Sequence, residues 1–196
     1  ITDRTKLIIL NSPHNPAGCV MSKEELLALA TLIEAREDIY ILSDEIYKDI
    51  IYQDQHYSIA SLPGLLDRTI ILDGFSKSYA MTGWRLGYGI MPPTLLPHVI
   101  KLAANSVSCA ASFSQRAAIQ ALEGPQDSLS EMVSELRLRR DLIVEGLRDI
   151  PGIICPEPEG AFYVFPSVMG TGISSDEFQE RCLAEFGVAL LSGGAF

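Results

Sequence analysis

The chain has 196 residues, 47% of them hydrophobic and 20% charged, which is the make-up of an ordinary globular protein with room for one or two domains. With 25 acidic against 15 basic residues its formal charge is −10, which argues against general binding to nucleic acid or to anionic membranes. Four scattered cysteines without a Cys-x-x-Cys pair indicate neither a disulfide framework nor a zinc site, so no metal is expected and a reduced cytoplasm is the simplest location.

Lys6 to Leu10 reads as a buried strand that ends in the turn-rich run Asn11-Ser12-Pro13-His14-Asn15-Pro16-Ala17-Gly18. Ser22 then opens a helix with Glu25 three residues later, a reciprocal cap, and Leu26, Leu27, Ala30 and Ile33 share one face of a helix expected to run through Glu37. A second strand, Ile39 to Ser43, runs into Asp44-Glu45-Ile46-Tyr47, a third spans Thr69 to Leu72, and a fourth, Leu86 to Met91, stops at Pro92-Pro93. Strands that are apolar throughout and separated by helical connections predict a mostly parallel sheet with helices on both faces. In such sheets ligands bind beyond the carboxyl ends of the strands, where Asn15, Asp44, Tyr47 and Lys77 all fall.

Beyond Pro97 the pattern turns helical, at Pro97 to Ala104, Ser114 to Glu123 and Asp127 to Asp149. Short strands are expected at Ile153-Ile154 and Ala161 to Phe165, then a helix at Ser175 to Phe186 and a strand at Val188 to Leu191. Arg137, Arg139 and Arg140 sit among acidic residues and read as a solvated, ion-paired face. His14, His56 and His98 read as surface histidines, and Trp84 as a packing residue. No apolar run is long enough to span a membrane and no signal peptide is evident, although a chain opening at Ile1 suggests a piece of a larger protein.

The most informative segment is Asp73-Gly74-Phe75-Ser76-Lys77-Ser78-Tyr79-Ala80-Met81-Thr82-Gly83-Trp84-Arg85-Leu86-Gly87. A lysine just past a buried strand, with an arginine eight positions on at a glycine-flanked turn, suits a ligand that carries both an aldehyde and a phosphate. Pyridoxal phosphate (PLP) is such a ligand: a desolvated lysine amine condenses with the aldehyde, and the arginine fork holds the phosphate.

Four segments together resemble the fold-type I PLP enzymes, most closely the class I/II aminotransferases of the aspartate aminotransferase family: Asn11 to Gly18, Ser43 to Tyr47, Gly74 to Gly87, and Gly160 to Pro166. Ala17 and Gly74 stand where the family usually has threonine and serine. The resemblance implies that Lys77 forms the Schiff base and shuttles the proton, that Asp44 pairs with the pyridinium nitrogen, that Asn15 and Tyr47 hydrogen-bond the phenolic oxygen, and that Ser76 and Arg85 hold the phosphate. Residues 1–125 would be the C-terminal part of a large PLP-binding domain and 126–196 a truncated small domain. The implied activity is amino transfer between an L-amino acid and a 2-oxo acid by a cytoplasmic homodimer. A PLP-dependent lyase of the same fold and an aminotransferase-like effector domain of a transcription regulator stay open. A complete family member would be about twice as long, so the chain alone is expected to lack turnover and to self-associate through uncovered sheet.

Overall fold

The computed structural model describes residues 1–52 and 55–196. Four strands form one sheet in chain order: β1 (Leu7–Asn11), β2 (Tyr40–Asp44), β3 (Thr69–Gly74) and β4 (Gly87–Ile90). The first three are mutually parallel, and β4 runs antiparallel to β3. Parallel neighbours need a crossover whereas antiparallel ones can be joined by a direct return. Helix α1 (Lys23–Ile33) lies in the β1–β2 crossover, while the chain between β3 and β4 simply folds back.

The cap at the start of α1 is the one expected: Ser22 Oγ accepts from the Glu25 amide at 3.2 Å and Glu25 Oε2 accepts from the Ser22 amide at 2.8 Å. Leu26 and Ile33 on its inner face pack with Ile41, Ile59 and Leu65, and Ile8 and Leu10 lean against them. Each such side chain contributes roughly 1.5–3 kcal/mol by leaving water. The helix ends at Ile33, earlier than Glu37, because Arg68 takes the Ile33 and Arg36 carbonyls, at 3.2 and 2.7 Å, and Arg36 itself turns to Asp38. Successive strand side chains alternate between faces. Thus Ile8 and Leu10 are sheltered while Leu7 is 44% and Ile9 68% exposed, with Leu72 also in the open.

A second core joins the chain after β2 to the C-terminal third. Tyr47, Ile50, Tyr52 and Ala161 are buried together, and Met132, Val133 and Leu136 of the long helix α4 (Asp127–Arg148) pack against them. Residues 159–161 clasp both front loops: Gly18 O accepts from the amides of Glu159 and Gly160, and Ala161 N donates to Ile50 O. Gly18 has φ +71°, and a Cβ there would lie 2.6 Å from Pro158 Cβ, so only glycine fits this clasp.

Helices α2 (Leu96–Ser106), α3 (Ser112–Glu123) and α5 (Ser175–Phe186) follow the expected pattern. The expected C-terminal strands do not form. Ile153-Ile154 gives only an isolated bridge from Ile154 to Ser167, Ala161 to Phe165 gives none, the nearest being Ile51 to Gly160 just before it, and Val188 to Leu191 has no ladder among the described residues. Local strand preference needs a neighbour to pair with. Arg139 pairs with Glu135 as expected, but Arg140 is not on a solvated face. Its side chain is 9% exposed, lies 4.8 Å over the Tyr52 ring, donates to Pro158 O at 2.7 Å, and pairs with Asp141 and Glu157. Aliphatic stem and planar head together make arginine the cation that tolerates such a position.

Candidate active site

Register brings the carboxyl ends of the parallel strands together, with Asn11 beside Asp44 and Asp44 beside Leu72. Asn11 links two of the expected site residues, because its Oδ1 accepts from the Asn15 amide at 2.8 Å and its Nδ2 donates to Asp44 O at 3.4 Å. Asp44 Oδ1 accepts from the Ile46 amide at 3.3 Å, which turns the chain so that Tyr47 enters the second core.

Lys77, Ser76 and Arg85 share the loop between β3 and β4. Hydrogen bonds from Phe75 N to Leu86 O, Met81 N to Phe75 O, and Ala80 N to Lys77 O close it. At its base a Cβ on Gly74 would lie 2.9 Å from Gly87 Cα and 3.1 Å from Leu86 O. That close backbone approach gives a physical reason for glycine where the family usually has serine. Arg85 is exposed, in left-handed conformation (φ 52°, ψ 49°), and donates to Thr82 O at 3.0 Å. A non-glycine residue held there costs on the order of 1 kcal/mol. An open hollow of about 890 Å³ lies beside it, lined by Trp84, Cys109, Phe113 and Ser114 among others.

Lys77 Nζ lies 5.5 Å from the ring centre of Tyr47 and 5.4 Å from that of Phe162. Cation–π attraction at such sites is worth about 0.5–1 kcal/mol. Tyr47 makes edge contacts with Phe162 at 5.3 Å and Tyr163 at 5.7 Å, and its hydroxyl meets that of Tyr163 at 2.5 Å. Burial, the bond to Tyr163 and the Asp44 charge all push the Tyr47 phenol well above its ordinary pKa. Phe162 and Tyr163 were not among the expected site residues. The adjacent aromatics after Gly160 were visible as a motif, but their reach to Lys77 spans more than eighty positions of chain.

Two buried acids brace the strand ends. Glu45 accepts from Ser43 Oγ at 3.0 Å, Ser58 Oγ at 2.6 Å and His56 Nε2 at 2.9 Å. His56 is therefore no surface histidine: its side chain is largely buried because Glu45 requires donors. Asp73 accepts from Lys48 and from Tyr88, each at 2.5 Å, and from the Gly74 amide at 2.7 Å. Burial alone would lower the Lys48 pKa, but the bond to Asp73 outweighs it and raises it. Trp84 meets Phe113 at 6.2 Å, but both rings are exposed and line the hollow beside Arg85, so Trp84 is not the buried packing residue expected.

By contrast Lys77, Asp44 and Arg85 form no salt bridge among the described residues. A lysine facing aromatic rings, a carboxylate at the next strand end, and an arginine and a serine on the lysine's own loop make a donor and acceptor set that fits a phosphorylated pyridine aldehyde.

Comparison with known proteins agrees with this geometry. The family model for aminotransferase class I and II matches residues 1–196, and the chain belongs to that family. It is 41% identical over 199 residues to an aspartate aminotransferase of Pyrococcus abyssi, covering 100% of this chain and 51% of that protein. Against the arginine–pyruvate transaminase AruH of Pseudomonas aeruginosa the identity is 42% over 196 residues, with 100% and 50% covered. The crystal structure of an aromatic aminotransferase from Pyrococcus horikoshii superposes with a TM-score of 0.94 at 40% identity, covering 100% of this chain and 52% of that one. The chain thus spans about half the length of the curated relatives it matches.

Proposed function

We propose that the protein carrying this chain is a PLP-dependent aminotransferase that moves an amino group between an L-amino acid and a 2-oxo acid, with Lys77 as the residue that joins the cofactor. The observation that supports it most is the placement of Asp44 at the end of β2 and of Lys77 and Arg85 on the loop that follows β3, none of them in a salt bridge among the described residues, with Lys77 set against the rings of Tyr47 and Phe162. Bound PLP supplies an electron sink for the charge left when the substrate α-carbon loses its proton.

The chain's own residues do the rest. With the cofactor bound and the substrate amine in its place on the aldehyde carbon, the freed Lys77 Nζ would take the proton from the substrate α-carbon and deliver it to that former aldehyde carbon, ending as it began, as a free amine. Asp44 keeps the ring nitrogen protonated by presenting a carboxylate to it. Asn15 and the Tyr47 hydroxyl bind the phenolic oxygen, and Ser76 and Arg85 bind the phosphate. Tyr47 and Phe162 keep water from one side of the lysine, which strengthens every electrostatic contact there. In the same reading residues 1–125 belong to the cofactor domain and 126–196 to a smaller one, and the whole protein is a cytoplasmic homodimer. None of the helices described is long and apolar enough to cross a membrane.

The test is borohydride fixation of the cofactor in the protein at the full length of its relatives, followed by peptide mapping, together with an assay of amino transfer from glutamate or aspartate to a 2-oxo acid. Label at Lys77 and transfer abolished by Lys77→Ala are expected. Label at Lys23, Lys48 or Lys101 would refute the site.

A further inference from the structure

We propose that Tyr163 is a positioning residue that sets the direction of the Tyr47 hydroxyl proton, an inference that rests on the proposed function and deepens it. A phenol has one proton to donate. If Tyr47 spends it on Tyr163, it faces the lysine side only as an acceptor; if Tyr163 donates, the Tyr47 proton is free to point toward Lys77 and whatever it binds. At 2.5 Å the two oxygens are close enough that one of these arrangements must hold. The second is the one that serves a site whose ligand carries an anionic oxygen, and a donor that also accepts is strengthened as a donor.

The backbone just before Tyr163 is fixed by bonds from both sides. Ala161, two residues before it, is fully buried at φ +58°, a left-handed conformation that alanine rarely adopts. Both of its backbone groups are engaged: its amide donates to Ile50 O at 2.9 Å, and its carbonyl accepts from the buried Tyr52 hydroxyl. Arg140 lies over the Tyr52 ring, and the rings of Phe162 and Tyr163 stand 4.9 Å apart. The strained turn thus delivers Phe162 to the lysine and Tyr163 to Tyr47, and surrounding bonds over-determine it. The groups facing the pair are Asp44 on the Tyr47 segment and Lys77 across the ring.

The experiment uses the full-length protein loaded with PLP and reads the pH midpoint of its visible absorbance. A Tyr47 hydroxyl free to donate draws charge from the ligand's phenolic oxygen and lowers the proton affinity of the nitrogen beside it. Tyr163→Phe keeps both ring contacts but removes the donor that polarises and orients the Tyr47 hydroxyl, and should raise the midpoint by about 0.3–0.5 pH unit, a part of the reach of one neutral hydrogen bond. Tyr47→Phe should raise it further, and Tyr47→Phe combined with Tyr163→Phe should match Tyr47→Phe alone. 3-Fluorotyrosine at position 163, a stronger donor of nearly the same shape, should move the midpoint the other way and serves equally if the phenylalanine variant fails to fold. A Tyr163→Phe midpoint within about 0.2 unit of wild type while Tyr47→Phe shifts, or full additivity of the two variants, overturns the positioning role and leaves the proposed function standing. A wild-type protein that takes no cofactor onto Lys77 overturns both.

Discussion

Replacing Glu45 by glutamine tests whether the turn that presents Asp44 and Tyr47 is built on a buried charge. The carboxylate has a side-chain exposure of 5% and accepts three hydrogen bonds, from Ser43, Ser58 and His56. Burial on its own would raise its pKa, but the bonds from His56 and Ser58 and the charge of His56 outweigh it, and the net shift is downward. The amide oxygen can still accept from Ser43 and Ser58, but its NH2 group then faces the N–H of His56, which loses its acceptor, and the two remaining bonds no longer end on a charge. Bonds to a charged acceptor are worth roughly 1.5–3 kcal/mol each, and Glu45→Gln should therefore cost about 2–4 kcal/mol at pH 7. The sign with pH follows from the lowered value: stability from Glu45 is fully present above the unfolded carboxylate pKa of about 4.3 and is lost as pH falls through the lower folded value. Urea unfolding of both proteins across pH 3 to 7 should show a gap that is wide at neutrality and closes on acidification. A gap under roughly 0.5 kcal/mol at pH 7, or one that stays constant to pH 3, would show that the carboxylate does not anchor this turn.

Asp73→Ala leaves Lys48 half-buried without its partner and Tyr88 without an acceptor, and should lower stability by about 3 kcal/mol in urea unfolding. Because the Lys48 pKa is raised, its contribution is intact below the unfolded lysine value of about 10.4 and fades only at higher pH, so this loss should be flat from pH 6 to 9. Gly74→Ser restores the hydroxyl usual in the family but should destabilise by roughly 1–3 kcal/mol and leave PLP affinity no tighter, since its Cβ meets Gly87 Cα at 2.9 Å; equilibrium titration of the cofactor checks this. Ile9→Lys, on the open sheet face, should change folding stability by no more than about 0.5 kcal/mol yet reduce self-association of the 196-residue chain in sedimentation velocity.

What could be read from the sequence was what neighbours in the chain decide. The Ser22–Glu25 cap, the long helix from Asp127 and the helix at Ser175–Phe186 depend on residues a few positions apart, and they form where expected. The lysine loop was legible for the same reason, since Gly74, Lys77, Arg85 and Gly87 lie within one short segment. Contacts between distant segments were not legible. Val188 to Leu191 has strand-forming residues but no strand to pair with among the described residues, and the burial of His56 and Arg140 depends on Glu45 and on Pro158 and Tyr52. Tyr163 sits 116 positions from the hydroxyl it meets, and nothing local distinguishes it from a core aromatic.

The arrangement of acids explains why the site keeps its charges available. At the end of β2 the chain places Asp44 and then Glu45; Glu45 is buried and satisfied by its own donors, so it competes neither for Lys77 nor for Arg85. At the end of β3 Asp73 is likewise consumed, by Lys48, Tyr88 and the Gly74 amide, four residues before Lys77. Both carboxylates are thus engaged on the framework, and neither pairs with Lys77 among the described residues. A free carboxylate next to Lys77 would hold it as an ammonium ion, which has no lone pair to offer an aldehyde. Rings of Tyr47 and Phe162 stand in that place instead, and they hold the Lys77 side chain without an ion pair. On the proposed function the framework therefore secures two requirements with the same residues: rigid strand ends, and a lysine that makes no carboxylate salt bridge among the described residues.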